Sequence, residues 1–227
     1  MDTKFEINND IVCKKYVAKP LQNNIWLIYS KTTYEALVID TPPDFSMIDK
    51  IVNKNNKLKI NNIFITHNHY DHIDGVEYFY NKTTNKPKIW IGEEDKIKMS
   101  EFSISNRYIN IYKNIEAFKL NHSIIKFIKT PGHTPGSTCM LLSNHVFTGD
   151  TLFPGGPGRT ATNSDFVNII KSIKTKLLTL PLETIIHPGH GDDTKIQNSI
   201  NEYNIFKNKN PNISKLSGNI AWNEKYE

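Results

Sequence analysis

Four short apolar runs in this sequence end in residues that bind metal ions, and few folds can satisfy that pattern. Ile63-Phe64-Ile65-Thr66 runs into His67-Asn68-His69-Tyr70-Asp71-His72, and the run from Ile124 to Thr130 into Pro131-Gly132-His133-Thr134-Pro135-Gly136. His145-Val146-Phe147-Thr148 runs into Gly149-Asp150-Thr151, and Thr184 to His187 into Pro188-Gly189-His190-Gly191. Successive strand residues alternate faces, so His67 and His69 fall on one side, and a turn after them brings Asp71 and His72 to a second position nearby. Neutral imidazole and carboxylate suit zinc, iron or manganese, and a carboxylate can bridge two cations where an imidazole cannot. A single loop histidine is more often a hydrogen-bonding residue than a ligand; it is the clustering that points to metal. His122, His145 and His187 lie outside the candidate ligand set and read as structural, with support of a ligand from behind as the alternative for His187.

The intervening segments read as alternating strands and helices. Ile25–Tyr29 and Tyr34–Asp40 are apolar strands joined by a tight turn, Phe45–Asn53 has helical spacing, and Lys59–Thr66 returns to strand. Asp71–Asn81 reads as a helix with an imperfect apolar face. Glu116–Leu120, Ile124–Thr130, Ser137–Leu142 and His145–Phe147 read as short antiparallel strands punctuated by Pro-Gly pairs. Ser164–Leu178 reads as an amphipathic helix with Ser164 as its N-cap, Thr184–His187 as a strand and Asp193–Lys207 as a helix. No repeat or linker interrupts the series, which predicts one α/β domain over residues 1–227 with a short C-terminal extension after about residue 208.

Composition narrows the partners. Hydrophobic residues at 38% and charged residues at 22% fit a globular domain rather than a disordered chain or a membrane protein. The start MDTKFEINND has no apolar signal core, and no later run reaches the ~20 apolar residues of a membrane span. Cys13 and Cys139 do not make a disulfide framework. The expectation is a cytoplasmic protein with no membrane partner. The net charge of +5 is spread over short separate lysine pieces, which leans toward anionic small molecules and away from nucleic acid, where a basic stripe with interleaved aromatics is expected.

His67-Asn68-His69-Tyr70-Asp71-His72 with Gly75 resembles the HxHxDHxxG signature of the metallo-β-lactamase superfamily, and His133, Asp150 and His190 follow in the order that signature leads one to expect. The resemblance runs from about Trp26 to Gly191. It implies an αββα sandwich, two mixed β-sheets flanked by helices, with metals at one edge of the sheets. It also implies two divalent metal ions, zinc first with iron or manganese as alternatives. His67, His69 and His133 would hold one, Asp71, His72 and His190 the other, with Asp150 between them and Asp71 also catalytic.

Asp150 stands where zinc β-lactamases often place a cysteine ligand, which disfavours a lactam substrate. Gly149-Asp150-Thr151-Leu152-Phe153, the loop Gly155-Gly156-Pro157-Gly158-Arg159-Thr160, Leu180-Pro181 and His187-Pro188-Gly189-His190-Gly191 resemble the glyoxalase II group, in particular its short bacterial members, which hydrolyse thioesters of glutathione. Two divalent cations bring a bridging water to a pKa of ~7, giving a bridging hydroxide, and polarise the carbonyl. A thiol of pKa ~8.5 then leaves without obligatory protonation, so a thioester needs no general acid.

Outside the ligand set, Arg159 is expected to bind substrate. It is one of two arginines in a lysine-rich chain, the other being Arg107, and a guanidinium in that loop can pair bidentately with a substrate carboxylate. The competing role is a brace for backbone carbonyls. The expected partner is therefore a small anionic thioester. Full-length glyoxalase II enzymes carry a helical C-terminal domain that supplies much of the glutathione site, whereas here a short segment with Tyr203, Phe206, Trp222 and Tyr226 follows. Its aromatics are expected to pack, with cover for the site edge or a homodimer contact as alternatives to a monomer.

The alternative enzyme is a persulfide dioxygenase with one iron on the first-site ligands, whose Gly-Arg-Thr loop Gly158-Arg159-Thr160 also resembles. Retention of Asp71, His72 and His190 favours a second metal and hydrolysis. Lactone or phosphodiester hydrolysis follows, because the fold does not fix the substrate. A non-catalytic binding domain would show an eroded ligand, and none is eroded.

Overall fold

The computed structural model describes residues 3–112 and 117–226. The first sheet has seven strands in sequential order: β1 (Lys4–Glu6), β2 (Ile11–Ala18), β3 (Asn23–Ser30), β4 (Glu35–Ile39), β5 (Lys59–Phe64), β6 (Lys88–Ile91) and β7 (Ile109–Ile111). β1 to β4 pair antiparallel, and β4 to β7 parallel. Helices α1 (Phe45–Lys54), α2 (Tyr70–Ile73) and α3 (Val76–Lys82) lie in the connections around β5. The second sheet has β8 (Ala117–Leu120), β9 (Ser123–Lys129), β10 (Thr138–Leu142), β11 (His145–Gly149), β14 (Ile185–Pro188) and β15 (Thr194–Lys195), with β11 and β14 parallel and the other pairs antiparallel. The ribbon β12 (Leu152–Phe153) and β13 (Gly156–Pro157) and helix α4 (Asn163–Ser172) separate β11 from β14, and α5 (Ile196–Lys209) follows β15.

Alternation along β3 explains its unbroken apolar sequence. Trp26 and Ile28 point between the sheets, where they meet Leu37, Phe64, Met140, Leu142 and Phe147. Leu27, from the same strand, points outward to a second cluster with Ile48 and Ile51 of α1 and Phe79 of α3. A strand buried on both faces reads as a continuous hydrophobic run. The second sheet repeats this, with Cys139, Val146 and Ile186 facing Phe166 and Ile169 of α4 and Phe206 of α5. Each large side chain so removed from water contributes about 1.5–3 kcal/mol. The layers are helix, sheet, sheet, helix, as expected.

Local departures have identifiable causes. The helix expected over Asp71–Asn81 is two helices, because Gly75 docks on the Thr41-Pro42 loop. Gly75 N donates to Thr41 O at 2.8 Å, and a Cβ there would sit 2.3 Å from Pro42 O. The N-cap of α4 is Thr162 rather than Ser164. Its side chain accepts from Asp165 N while Asp165 reaches back to Thr162 N, a capping box. The helical path then continues as a π-turn through Ile173–Leu177. Residues 194 and 195 pair with β14 before α5 starts, so that helix begins at Ile196 rather than Asp193. Glu116, expected to open β8, lies outside the described residues. No described helix is long and apolar enough to cross a membrane.

Candidate metal centre

Both sheets deliver their strand ends to one edge. Beyond β5, Ile65 N still pairs with Trp90 O, at 2.8 Å, and Thr66 O accepts from Thr138 N, at 2.9 Å. The chain is therefore fixed to both sheets immediately before His67. On the other sheet, Asp150 follows β11 and His190 follows β14, and the parallel pairing of those strands sets the two loops side by side. Asn23 closes the edge through an isolated bridge to His190.

The seven residues singled out in the sequence come together there. Ligand-type atoms of His67, His69 and His133 lie within 4.8 Å of one another, as do those of His67, His72 and Asp150, and those of Asp71, His72 and His190. Asp150 sits among them: Oδ1 is 3.3 Å from His72 Nε2, and Oδ2 is 3.6 Å from His190 Nε2 and 3.7 Å from His133 Nε2. His190 Nε2 is 3.2 Å from Asp71 Oδ2.

Four of these rings are held by protein acceptors at Nδ1, which fixes where the lone pair points. His72 Nδ1 donates to Asp40 Oδ2 at 2.8 Å. Thr66 Oγ1 donates to the same carboxylate oxygen at 2.8 Å, so it accepts from His67 Nδ1 at 3.0 Å. His133 Nδ1 donates to Arg159 O at 2.8 Å, and His190 Nδ1 to Leu21 O at 3.0 Å. In the neutral form of each ring Nε2 is then the acceptor nitrogen, turned to the centre. The result is two close nitrogen pairs, His67 with His133 and His72 with His190, each at 3.2 Å.

Lone pairs brought that close repel unless a cation lies between or beside them. Asp150 Oδ1 is buried with His72 Nε2 3.3 Å away, and a buried carboxylate in that place depends on cationic neighbours. Five imidazoles and two carboxylates are the donor set of a zinc-type or iron-type site. The residues present therefore fit two divalent ions.

The electrostatics are those of a closely coupled cluster. Burial, reinforced by the neighbouring histidines, pushes His67 well below the usual imidazole range. Burial also lowers His133. For His72 burial acts the same way, but the carboxylates of Asp150 and Asp40 on its two sides outweigh it and raise the ring well above that range. Burial opposes ionisation of Asp71, yet the bonds from His190 and Asn23 and the charge of His72 hold its carboxyl below the ordinary range. Asp150 is likewise lowered against burial, by His72, His133 and His190.

Sequence reading missed three supporting residues. Asp40 follows β4 directly, at φ 59°, and accepts from Thr66 N at 2.8 Å as well as from the two partners above. A carboxylate at the end of an apolar strand is the same signal that marked Asp150, and it could have marked Asp40. Fully buried Asp95 ties the two ligand loops together, accepting from Asn68 N at 3.1 Å, Thr134 Oγ1 at 2.6 Å and Gly136 N at 2.9 Å. In Glu93-Glu94-Asp95 it looks like a solvated acidic run, and nothing marks it. Asn23 Nδ2 donates to Asp71 Oδ2 at 3.0 Å. His187 is buried and stacked between Phe5, Trp26 and Phe147, its Nε2 2.9 Å from His145 Nδ1 and its Nδ1 3.0 Å from Asp193 Oδ2. Among these contacts none is with a metal-type residue of the centre, so the ring of His187 packs in the core between the sheets.

A cleft of about 500 Å³ opens from His133 and Asp150, lined further by Phe153, Arg159, Glu224 and Tyr226. Arg159 is exposed, and among the described residues its guanidinium has no protein partner. The segment after α5 forms the far lining. Trp222 is fully buried against Tyr203 and Phe206, and its N donates to Gly155 O at 2.8 Å. The aromatics thus pack, and the same segment covers the site edge.

The model of the Metallo-beta-lactamase superfamily matches residues 18–190. A hydroxyacylglutathione hydrolase of Buchnera aphidicola is 36% identical over 162 residues, 69% of this chain and 60% of that protein. A probable polyketide biosynthesis zinc-dependent hydrolase, BaeB, of Bacillus velezensis is 31% identical over 184 residues, 74% of this chain and 72% of that protein. Among solved structures, the BLEG-1 B3 metallo-beta-lactamase superposes with a TM-score of 0.69 at 26% identity, covering 83% of this chain and 96% of that one.

Proposed function

Since this chain belongs to the metallo-β-lactamase superfamily, we propose that it is a dinuclear metal-dependent hydrolase of the glyoxalase II type, cleaving a small anionic thioester such as an acyl-glutathione. The observation that carries the reading is the convergence of the Nε2 atoms of His67, His72, His133 and His190 with the carboxylates of Asp71 and Asp150 at one edge of the two sheets. His67, His69 and His133 would hold one cation, Asp71, His72 and His190 the other, with Asp150 shared. A pair of divalent cations held there would supply Lewis acidity, lowering the pKa of a water to ~7 and polarising a carbonyl.

The protein's own groups do the rest. Asp71 turns Oδ2 to His72, His190 and Asn23, which leaves the ionised Oδ1 to accept a hydrogen bond from the attacking water and orient it, the water's proton passing to solvent. Asp40 and the backbone carbonyls of Arg159 and Leu21 keep the rings in one tautomer, so the centre needs no rearrangement as charge develops on the carbonyl oxygen. Arg159 in the cleft pairs with a carboxylate of the substrate. The thiolate leaves unprotonated.

The test is metal content of chelator-free protein by elemental analysis together with turnover of S-lactoylglutathione. Two metals per chain with turnover are expected. One iron with oxygen consumption on glutathione persulfide would transfer the assignment to a dioxygenase. Arg159→Ala should raise KM for anionic thioesters about tenfold with kcat within about twofold; an unchanged KM removes Arg159 from the substrate site.

A further inference from the structure

The cleft beside the metal cluster carries two charges of opposite sign that do not neutralise each other. Arg159 comes from the glycine-rich loop and Glu224 from the segment after α5, and both line the cleft. Among the described residues no ion pair joins them. Glu224 is exposed but not loose. The Tyr226 hydroxyl donates to its Oε2 at 3.0 Å while accepting from Ala221 N at 2.7 Å, and Tyr226 N is tied to Asn210 Oδ1 at 2.7 Å. Asn210 Nδ2 in turn donates to Glu224 O at 2.9 Å, and buried Trp222 anchors the turn. One carboxylate oxygen is thus held in place with its partner oxygen free.

A cleft with Arg159 alone would accept any anion, and the net charge of +5 would draw polyanions to it. A fixed carboxylate on the same cleft changes the selection, because specificity is a difference of affinities and like-charge contact counts against the wrong ligand. We propose that Glu224, positioned by Tyr226, is a specificity-determining residue, and that with Arg159 it selects a thiol carrier bearing both an ammonium and a carboxylate group over one bearing phosphates. The word carrier rests on the thioester reading above; the two-charge recognition does not.

The experiment therefore separates binding from turnover. S-methylglutathione, its N-acetyl derivative and the S-methyl thioether of phosphopantetheine cannot be hydrolysed, and each is titrated calorimetrically into the metal-loaded full chain. Acetylation of the amine should weaken binding to wild type about fivefold, the range of a partly exposed ion pair, and less than about twofold in Glu224→Gln. Tyr226→Phe, which leaves the carboxylate but frees it, should fall between. The phosphate-bearing thioether should bind more weakly than S-methylglutathione and gain affinity in Glu224→Gln. Equal acetylation penalties in wild type and Glu224→Gln, or no binding of any thioether, would overturn the proposal. If the pattern holds but no S-acyl form of any carrier is hydrolysed, the thioesterase reading falls and the two-charge cleft stands.

Discussion

The two sheets supply the same site by different means. The first delivers His67, His69, Asp71 and His72 from one short stretch after β5, so their relative positions follow from local backbone. The second delivers His133, Asp150 and His190 from three separate strand ends, and only the pairing of β9, β10, β11 and β14 brings them together. Each half is also braced differently. Asp40 reaches across its own sheet to Thr66 and His72, whereas His133 and His190 lean on backbone carbonyls of loops that depend on the tertiary fold. A local motif is insensitive to distant packing; a distributed one makes the integrity of the sheet a condition of the chemistry.

The strongest way to break this contrast is at Asp150, which belongs to the distributed half but touches both. Asp150→Ala should cut kcat/KM about a thousandfold or more and lower metal content to at most one per chain. Two metals and activity within tenfold of wild type would show that the halves bind independently. Asp40→Asn comes next: loss of the charged support behind His72 and Thr66 should weaken metal affinity about 10- to 100-fold in a chelator competition. An unchanged affinity would mean that the local motif is self-sufficient. Thr162→Ala should have the smallest effect, about 1 kcal/mol of stability from the lost cap, read as a lower Tm with unchanged metal stoichiometry. Loss of metal along with stability would show that packing of α4 reaches the distributed ligands more directly than described.

The same division decides what could be read from the sequence. The local motif was legible because alternation and turn geometry act over a few residues, and His133, Asp150 and His190 were legible as strand-end residues, although their meeting followed only from the family resemblance and not from spacing. The two-face burial of β3 showed as an unbroken apolar run, while β2, β6 and β7 went unread because their identity as strands depends on neighbours distant in sequence. Gly75 split a helix that periodicity drew as one, since the reason lies on the Thr41-Pro42 loop. Asp95 and Asn23 stayed hidden because a hydrogen-bond acceptor or donor has no period, only a location.

The cleft wall has a consequence in the order of synthesis. A chain made from its N-terminus has all seven metal-type residues once His190 has emerged, but the wall containing Glu224 and Tyr226 comes later and is docked by Trp222 against Gly155. A domain generally folds as a unit rather than piece by piece as it leaves the ribosome. Phe206, Leu216, Ile220 and Trp222 complete the apolar cluster behind the strands that carry the distributed ligands, so the ligand-bearing strand ends gain their full packing only when the segment that walls the cleft arrives.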